Sequence, residues 1–301
     1  MNNSTSINSI NGDIKLSLFQ RLIYLFLNFI DHLFPFFNID SDLDLKFFFL
    51  NEAAFNQFYT TLTVIESPSR KLSNLFWMNL PWAKMKKSLG NINVLDIGCG
   101  SGVYSKFLSD ISNGAIDSYV GIDICENDLW KTYGKRNIRF YEYDGENVLD
   151  QIPKNTNLIV TQSAIEHFGE DISFFKQVKE FVDNCGHEVV QVHLLPSSAC
   201  LYLYLFHGFR QYTPRKISNI TRLFGESYKS LWSLGGMKTN IVRLKYTTIP
   251  YLFGRGDATK KKESAYNSDL IDALKSDFKL ASKYPSFYAL IVHSNASSPI
   301  I

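Results

Sequence analysis

The nine residues from Val94 to Gly102, VLDIGCGSG, constrain the fold more than any other part of this 301-residue chain. Val94, Leu95 and Ile97 make a short apolar run behind polar Asn91 and Asn93, the pattern of a strand buried on both faces of a parallel sheet. Gly98, Gly100 and Gly102 follow at its carboxyl end, where residues without a Cβ let the backbone take φ > 0 and come close to a ligand. Beyond them Val103, Phe107 and Leu108 recur at helical spacing, so the turn opens a helix whose first amides can face that ligand.

A dinucleotide turn has the spacing G-x-G-x-x-G, with a pyrophosphate on the helix N-terminus. Here the spacing is G-x-G-x-G, and Val103 stands where the third glycine of that pattern would fall. Asp96, two residues before Gly98, would repel a pyrophosphate and attract a cationic amino group. On these residues the chain resembles the class I S-adenosylmethionine-dependent methyltransferases, whose first motif is an acid followed by G-x-G-x-G. The resemblance implies S-adenosyl-L-methionine as cofactor, with Asp96, Gly98, Cys99, Gly100 and Gly102 around its amino acid end. It disfavours a nicotinamide-dependent oxidoreductase and leaves open a binding protein that keeps the cofactor without turnover.

Residues 119–124, YVGIDI, read as a second strand ending in Asp123, 25 residues after Gly98, where an acid suits ribose hydroxyls. Ile124 follows it in the cofactor set. Residues 138–143, IRFYEY, alternate as a strand and end at Asp144-Gly145, where the family places an acid against the adenine amino group; locally, the same pair reads as a turn. Residues 157–161, NLIVT, give a fourth strand leading into QSAIEHF. This segment resembles the one facing the cofactor methyl in small-molecule methyltransferases of the ubiquinone-biosynthesis type. It puts Gln162 and Ser163 at the pocket and offers Glu166 and His167 as catalytic residues, His167 being suited to accept a proton near neutrality. Both are equally placed to cap or pack the first turn of a helix running to Phe181. No metal is expected, because no further His or carboxylate stands at metal-ligand spacing.

Residues 173–183 read as a helix, 188–195 as a fifth strand with His193 in its core, 227–234 as a sixth, and 285–294 as a final, reversed edge strand. The expected fold is therefore α/β: a Rossmann-like, doubly wound, mostly parallel sheet of seven strands with an N-terminal helical cap. The methyltransferase domain is expected over residues 67–296, with a lid insertion at about 197–226. That lid contains the aromatic run LYLYLFHGF and a helix opened by Thr213 as N-cap and Pro214 at its first position.

Upstream, residues 1–12 are polar and expected to be a disordered tail, and residues 13–66 form the cap. From Leu16 to Phe37 the helical projection gathers Ser17, Gln20, Arg21, Asn28, Asp31 and His32 into one stripe, with Leu, Ile and Phe covering nearly all the rest. As a membrane span this is poor and as a cleaved signal it lacks the right flanks. It suits a sheet cap, a dimer contact or a helix lying on a membrane surface. Residues 40–63 are aromatic and helical at their end; 67–89 read as the helices before the first strand, with Arg70 placed to reach the cofactor carboxylate.

Composition supports the picture. A hydrophobic content of 45% supplies a core, and a net charge of +2 gives no basic excess for nucleic acid. Four cysteines without C-x-x-C spacing indicate a reducing, cytoplasmic setting, at most peripheral to the inner face of a membrane. The expected partner is a small-molecule, glycan or lipid-linked acceptor, methylated at oxygen; the oligomeric state is open.

Overall fold

The structure is a computed structural model, and it describes residues 3–62, 66–282 and 284–301. Eight strands form one sheet: β1 (Leu43–Phe47), β2 (Ile92–Ile97), β3 (Ile116–Asp123), β4 (Ile138–Glu142), β5 (Leu158–Gln162), β6 (Val189–Pro196), β7 (Tyr228–Leu234) and β8 (Phe287–Ser294). Their order across the sheet is β1-β7-β8-β6-β5-β2-β3-β4. Every neighbouring pair is parallel except those that β8 makes with β6 and β7.

Among the described residues twelve α-helices accompany them: α1 (Leu18–Asp31), α2 (Glu52–Tyr59), α3 (Pro68–Met78), α4 (Trp82–Leu89), α5 (Val103–Ile111), α6 (Trp130–Tyr133), α7 (Asp171–Cys185), α8 (Cys200–Leu203), α9 (Pro214–Thr221), α10 (Met237–Arg243), α11 (Ile249–Leu252) and α12 (Glu263–Asp277). One apolar cluster packs α3, α4, α5 and α12 against one face of the sheet, and a second packs α7 and α9 against the other. With both faces covered, β6 and β8 are buried along their whole length, which is why their sequences run apolar rather than alternating.

Three expectations, two about the sheet and one about the turn after β5, need correction. It has eight strands, not seven: LDLKF, at the start of the segment expected to be aromatic and then helical, pairs with β7 as an added edge, and the helix follows as α2. Thr63, the end of that expected segment, lies outside the described residues, as do the cap residues 64 and 65. The reversed strand β8 is interior, bonded to β6 on one side and β7 on the other. Glu166 and His167 are not in the first turn of a long helix; they form a separate 3-10 turn (Ile165–His167), and α7 begins at Asp171.

The N-terminal region differs most. Residues 3–12, expected to be a loose tail, run as a strap across the molecule. Thr5 donates to Asp171 from both its backbone N–H (2.8 Å) and its hydroxyl (2.5 Å), Asn8 donates to the Phe209 carbonyl (2.6 Å), and the Gly12 N–H to the Gly208 carbonyl (2.7 Å). Met1 and Asn2 lie outside the described residues. Helix α1 is shorter than the apolar run, opened by a Ser17–Gln20 capping box and ended at Asp31. It also faces the opposite way from an ordinary cap. Tyr24, Asn28 and Asp31 are its buried residues, whereas Leu18, Phe19 and Phe26 are 76%, 71% and 62% exposed. The polar stripe is anchored inward: Asp31 pairs with the buried ammonium of Lys216 and accepts from Ser6 (2.7 Å), and the Tyr24 hydroxyl donates to the His207 carbonyl (2.9 Å). Among the described residues no helix is long and apolar enough to cross a membrane.

Candidate active site

The strand order reverses between β2 and β5, so a crevice opens beyond their carboxyl ends, where open α/β sheets bind ligands. Two segments line it. The first is the glycine turn after β2. Gly98, Gly100 and Gly102 all have positive φ (75°, 53° and 77°), and the Gly98 and Cys99 N–H groups both donate to the Ile122 carbonyl (2.8 and 3.1 Å), tying the turn to β3. Gly98 is required by contact as well as by φ: a Cβ there would stand 2.4 Å from the Ala164 Cβ, on the second segment. At Gly100 the same position meets open space, leaving the backbone approachable.

Asp123 ends β3 and accepts from the Gly100 N–H (2.7 Å) and from the Ile124 N–H (2.8 Å), joining the two strand ends. Ile124 is exposed, and a Cβ on Gly145 would lie 2.9 Å from its side chain, so Asp144-Gly145 closes the same end of the sheet. Asp144 is exposed and caps its own turn, accepting from Glu146 N–H (2.9 Å) and Asn147 N–H (3.0 Å), bonds that hold its carboxyl below the ordinary range. Cys99 is buried, and burial pushes its thiol up.

Asp96 sits deeper than expected. It is fully enclosed, accepts from the Tyr119 hydroxyl on one oxygen, and has no partner on the other. Burial, opposed by that hydrogen bond, raises its carboxyl to about 7. An enclosed acid with a free oxygen beside an approachable glycine backbone suits a ligand bearing an ammonium group, so these residues fit S-adenosylmethionine. Arg70 lies over the Tyr104 ring (5.0 Å) at the mouth of the crevice.

The second segment follows β5. A cavity of about 280 Å³ opens here, lined by residues that include Arg70, Gln162, Ser163, Glu166, His167 and His207. The Trp77 indole N–H donates to the Gln162 side chain (2.8 Å), fixing it on the wall. Ser163 takes a left-handed backbone (φ 53°), strain of the kind found where a chain is bent to present groups to a site. The buried Arg210 guanidinium donates to the carbonyls of Phe168 (2.6 Å) and Gly169 (2.7 Å), which fixes the turn carrying Glu166 and His167.

Glu166 is wholly buried and neither of its carboxylate oxygens has a hydrogen-bond partner. Burial raises it to about 7, against the opposing pull of His167. His167 donates from Nδ1 to Asp13 (2.7 Å) and turns Nε2 toward Glu166 (3.9 Å). His207 repeats that arrangement, with Nδ1 3.3 Å from Asp13 and Nε2 3.8 Å from Glu166. Neither His207 nor Asp13 figures in the sequence reading of the site; both come from positions distant in the chain and stand beside Glu166 and His167. The available signal was a histidine followed by glycine inside an aromatic run. Gly208 has φ 63° and no room for a Cβ, which would lie 2.6 Å from the Glu166 carbonyl oxygen. His193, by contrast, is a core residue: it bonds Thr161 (3.0 Å) and Gln191 (3.2 Å), and burial lowers it to about 3.

Comparison with known proteins places this geometry. Residues 68–229, more than half of the chain, match the family described as a methyltransferase domain. No curated protein matches the chain. Among solved structures, the plantazolicin methyltransferase BamL, crystallised with a triazolic desmethylPZN analogue and SAH, is 16% identical over 81% of this chain and 90% of its own, at a TM-score of 0.47. An S-adenosylmethionine-dependent methyltransferase from Archaeoglobus fulgidus is 17% identical over 71% and 92% (TM-score 0.41). A putative methyltransferase from an antibiotic biosynthesis pathway of Anabaena variabilis is 11% identical over 72% and 99% (TM-score 0.41). The family match joins the glycine turn, the acid before it and the strand order in one conclusion: the chain belongs to the methyltransferase-domain family and is a class I S-adenosylmethionine-dependent methyltransferase.

Proposed function

We propose that the chain methylates an oxygen of a small-molecule, sugar- or lipid-linked acceptor, in the manner of the ubiquinone-biosynthesis-type enzymes. The observation that carries this reading is the cavity beyond β5, whose lining sets Arg70 and Gln162 beside Glu166 and His167. When bound, S-adenosylmethionine supplies an electrophilic methyl group for in-line displacement by the acceptor oxygen. Asp96, Gly98, Cys99, Gly100 and Gly102 would hold its amino acid end with Arg70 on the carboxylate, Asp123 and Ile124 its ribose, and Asp144 and Gly145 its adenine, with Gln162 beside the reacting group.

The chain's own contribution is positioning and proton removal. Asp13 fixes the His167 ring from Nδ1 and leaves Nε2 free to accept, while Glu166, raised to about 7, exchanges a proton near neutrality. Residues 197–226 bring Tyr204 over the cavity, where Arg243 stacks on its ring (4.2 Å). The outward apolar face of α1 supports peripheral contact with the cytoplasmic side of a membrane, where a lipid-linked acceptor would reside; the four free cysteines agree with that compartment.

Calorimetric titration of the full chain with S-adenosylhomocysteine and with NAD tests the cofactor assignment. Saturable binding of the first alone is expected, and binding of NAD alone refutes it. Turnover is then read on acceptor extracts by the mass gain of one methyl group. A His167→Ala variant should lose about 10²–10⁴-fold in kcat with intact S-adenosylhomocysteine affinity; full turnover would remove His167 as the base.

A further inference from the structure

We infer that the free edge of β1 is a dimer contact, pairing antiparallel with β1 of a second copy of this chain about a two-fold axis at Leu45. β1 stands at one end of the sheet and β4 at the other. At β4 the chain covers its own edge, because Lys135 and Ile138 exchange both backbone bonds (3.0 and 3.1 Å). At β1 the Leu43 N–H is taken by the Asp40 carbonyl (3.1 Å), and no other backbone group on the outer side of the strand is paired among the described residues. The Phe48 N–H donates to the Ser233 carbonyl at the end of β7 (3.0 Å). By the alternation of a strand, the backbone groups of Asp44 and Lys46 also face β7, and those of Leu45 and Phe47 face outward.

Three features make a second copy the occupant of this edge. First, LDLKF is complementary to itself in charge. In an antiparallel pair centred on Leu45, Asp44 of each copy stands directly opposite Lys46 of the other, and Leu43 stands opposite Phe47. Centring the pair on Asp44 would set two aspartates face to face, and centring it on Lys46 two lysines, so charge selects one register. Second, the backbone groups match. Leu45 exchanges both bonds with Leu45 of the second copy, and each Phe47 N–H meets the Leu43 carbonyl opposite, whose own N–H is already held by Asp40. Third, the two-fold axis lays like face beside like face. Leu45 and Phe47, 44% and 41% exposed, lie on the side where Leu43 enters the core, and the exposed Phe49 ring follows 6.2 Å from that of Phe47. Pairing therefore covers the apolar side chains of both copies at once. β1 has none of the usual guards of an exposed edge, neither a proline nor a bulge, and its charges attract a second copy rather than repel it.

In a single copy the Lys46 ammonium reaches only its own Asp44 (3.3 Å), two residues away along the strand. Directly opposite residues of an antiparallel pair stand closer than that, at about 4.5–5.5 Å between Cβ atoms, so association exchanges a solvated local contact for a cross-strand one. The joined sheet runs without a break from one copy into the other. Because β1 is parallel to β7 and the two copies run antiparallel, the two cofactor crevices open at opposite ends of the dimer. Each crevice is built within its own chain, so this contact stands apart from the acceptor reading above.

The test is sedimentation velocity on the untagged full-length protein over a dilution series. The expected result is a reversible monomer–dimer equilibrium in the micromolar range, as suits a small interface built on one strand pair. Asp44→Lys sets lysines opposite each other at both symmetry-related pairs and should weaken the dimer by about 10-fold or more. Combining Asp44→Lys with Lys46→Asp restores opposite charges and should return the dissociation constant to within about 3-fold of the parent. Leu45→Pro removes the central N–H at an outward-facing edge position, where proline is tolerated, and should leave a monomer. Phe19→Glu with Phe26→Glu, on the exposed face of α1, should leave the dimer unchanged. Circular dichroism of each variant reports its folding separately. A monomer at every concentration, a dimer indifferent to Asp44→Lys and Leu45→Pro, failure of the combined charge exchange to restore association, or loss of the dimer in the α1 variant overturns the inference.

Discussion

Gly208 joins the aromatic segment after β6 to the turn that carries Glu166, and Gly208→Ala should be a strongly destabilising single-methyl change beside the cavity. Its cost has two parts. A residue with a Cβ held at φ 63° loses about 1–2 kcal/mol for the left-handed conformation. The new methyl would also stand 2.6 Å from the Glu166 carbonyl oxygen and 3.0 Å from its carbon, both backbone atoms that cannot rotate away. Relieving that contact means moving the 207–209 loop or the 165–167 turn, an overpacking cost of about 1–3 kcal/mol. The total is about 2–5 kcal/mol. Gly186 supplies the control: it ends α7 at φ 70°, and a methyl added there meets nothing within 4 Å, so Gly186→Ala carries only the conformational part. Urea unfolding of the two variants beside the parent, followed by circular dichroism, isolates the contact as the difference between them. If Gly208→Ala unfolds at the same urea concentration as Gly186→Ala, the close approach of this loop to Glu166 is wrong, and with it the geometry of the whole cluster.

Two further outcomes are specific. Burial lifts Glu166 from an ordinary 4.5 to about 7, so the folded state holds a proton that the unfolded state releases; this contribution to stability is full below about pH 4.5 and is lost as pH rises to about 7. Glu166→Gln should flatten the fall in unfolding free energy between about pH 5 and 7 and be the more stable form at about pH 7.5; an unchanged slope would place the carboxyl in contact with water. At the other end of the chain, Phe19→Glu with Phe26→Glu should abolish cosedimentation with anionic phospholipid vesicles while leaving the unfolding free energy within about 0.5 kcal/mol of the parent, since both side chains are exposed; undiminished cosedimentation would remove α1 as the lipid contact.

The parts of the fold that could be read in the sequence are those determined by neighbours in the chain. The glycine turn, the apolar strands and the capped helices α3 and α9, each with a Ser or Thr N-cap before a proline, are local, and the structure has them at or within a few residues of the expected positions. What escaped depends on contacts between distant segments. LDLKF alternates apolar and polar residues as a strand does, but its place in the sheet comes from the unpaired edge of β7, which lies far away in the chain. The helical projection of α1 separates its two faces correctly but does not say which one turns inward; that is decided by Lys216, Arg215 and the 207–211 loop, which hold Asp31 and Tyr24. The same holds at the site. Glu166 and His167 are adjacent and share a motif, whereas Asp13 and His207 reach them from 154 and 40 residues away along the chain, and no spacing rule links such positions.

The strap and α1 also impose an order on the birth of the molecule. Asp13 leaves the ribosome 154 residues before His167 and 195 before Gly208, so at about 5–20 residues per second it waits roughly 10–40 s for its partners. Throughout that interval α1 is a short apolar helix with neither its anchor nor its sheet, available to a chaperone or a lipid surface before any catalytic group exists. The strap residue Asp13 and α1 therefore exist long before the segments that anchor them, and the cavity is complete only after residue 208 has been made.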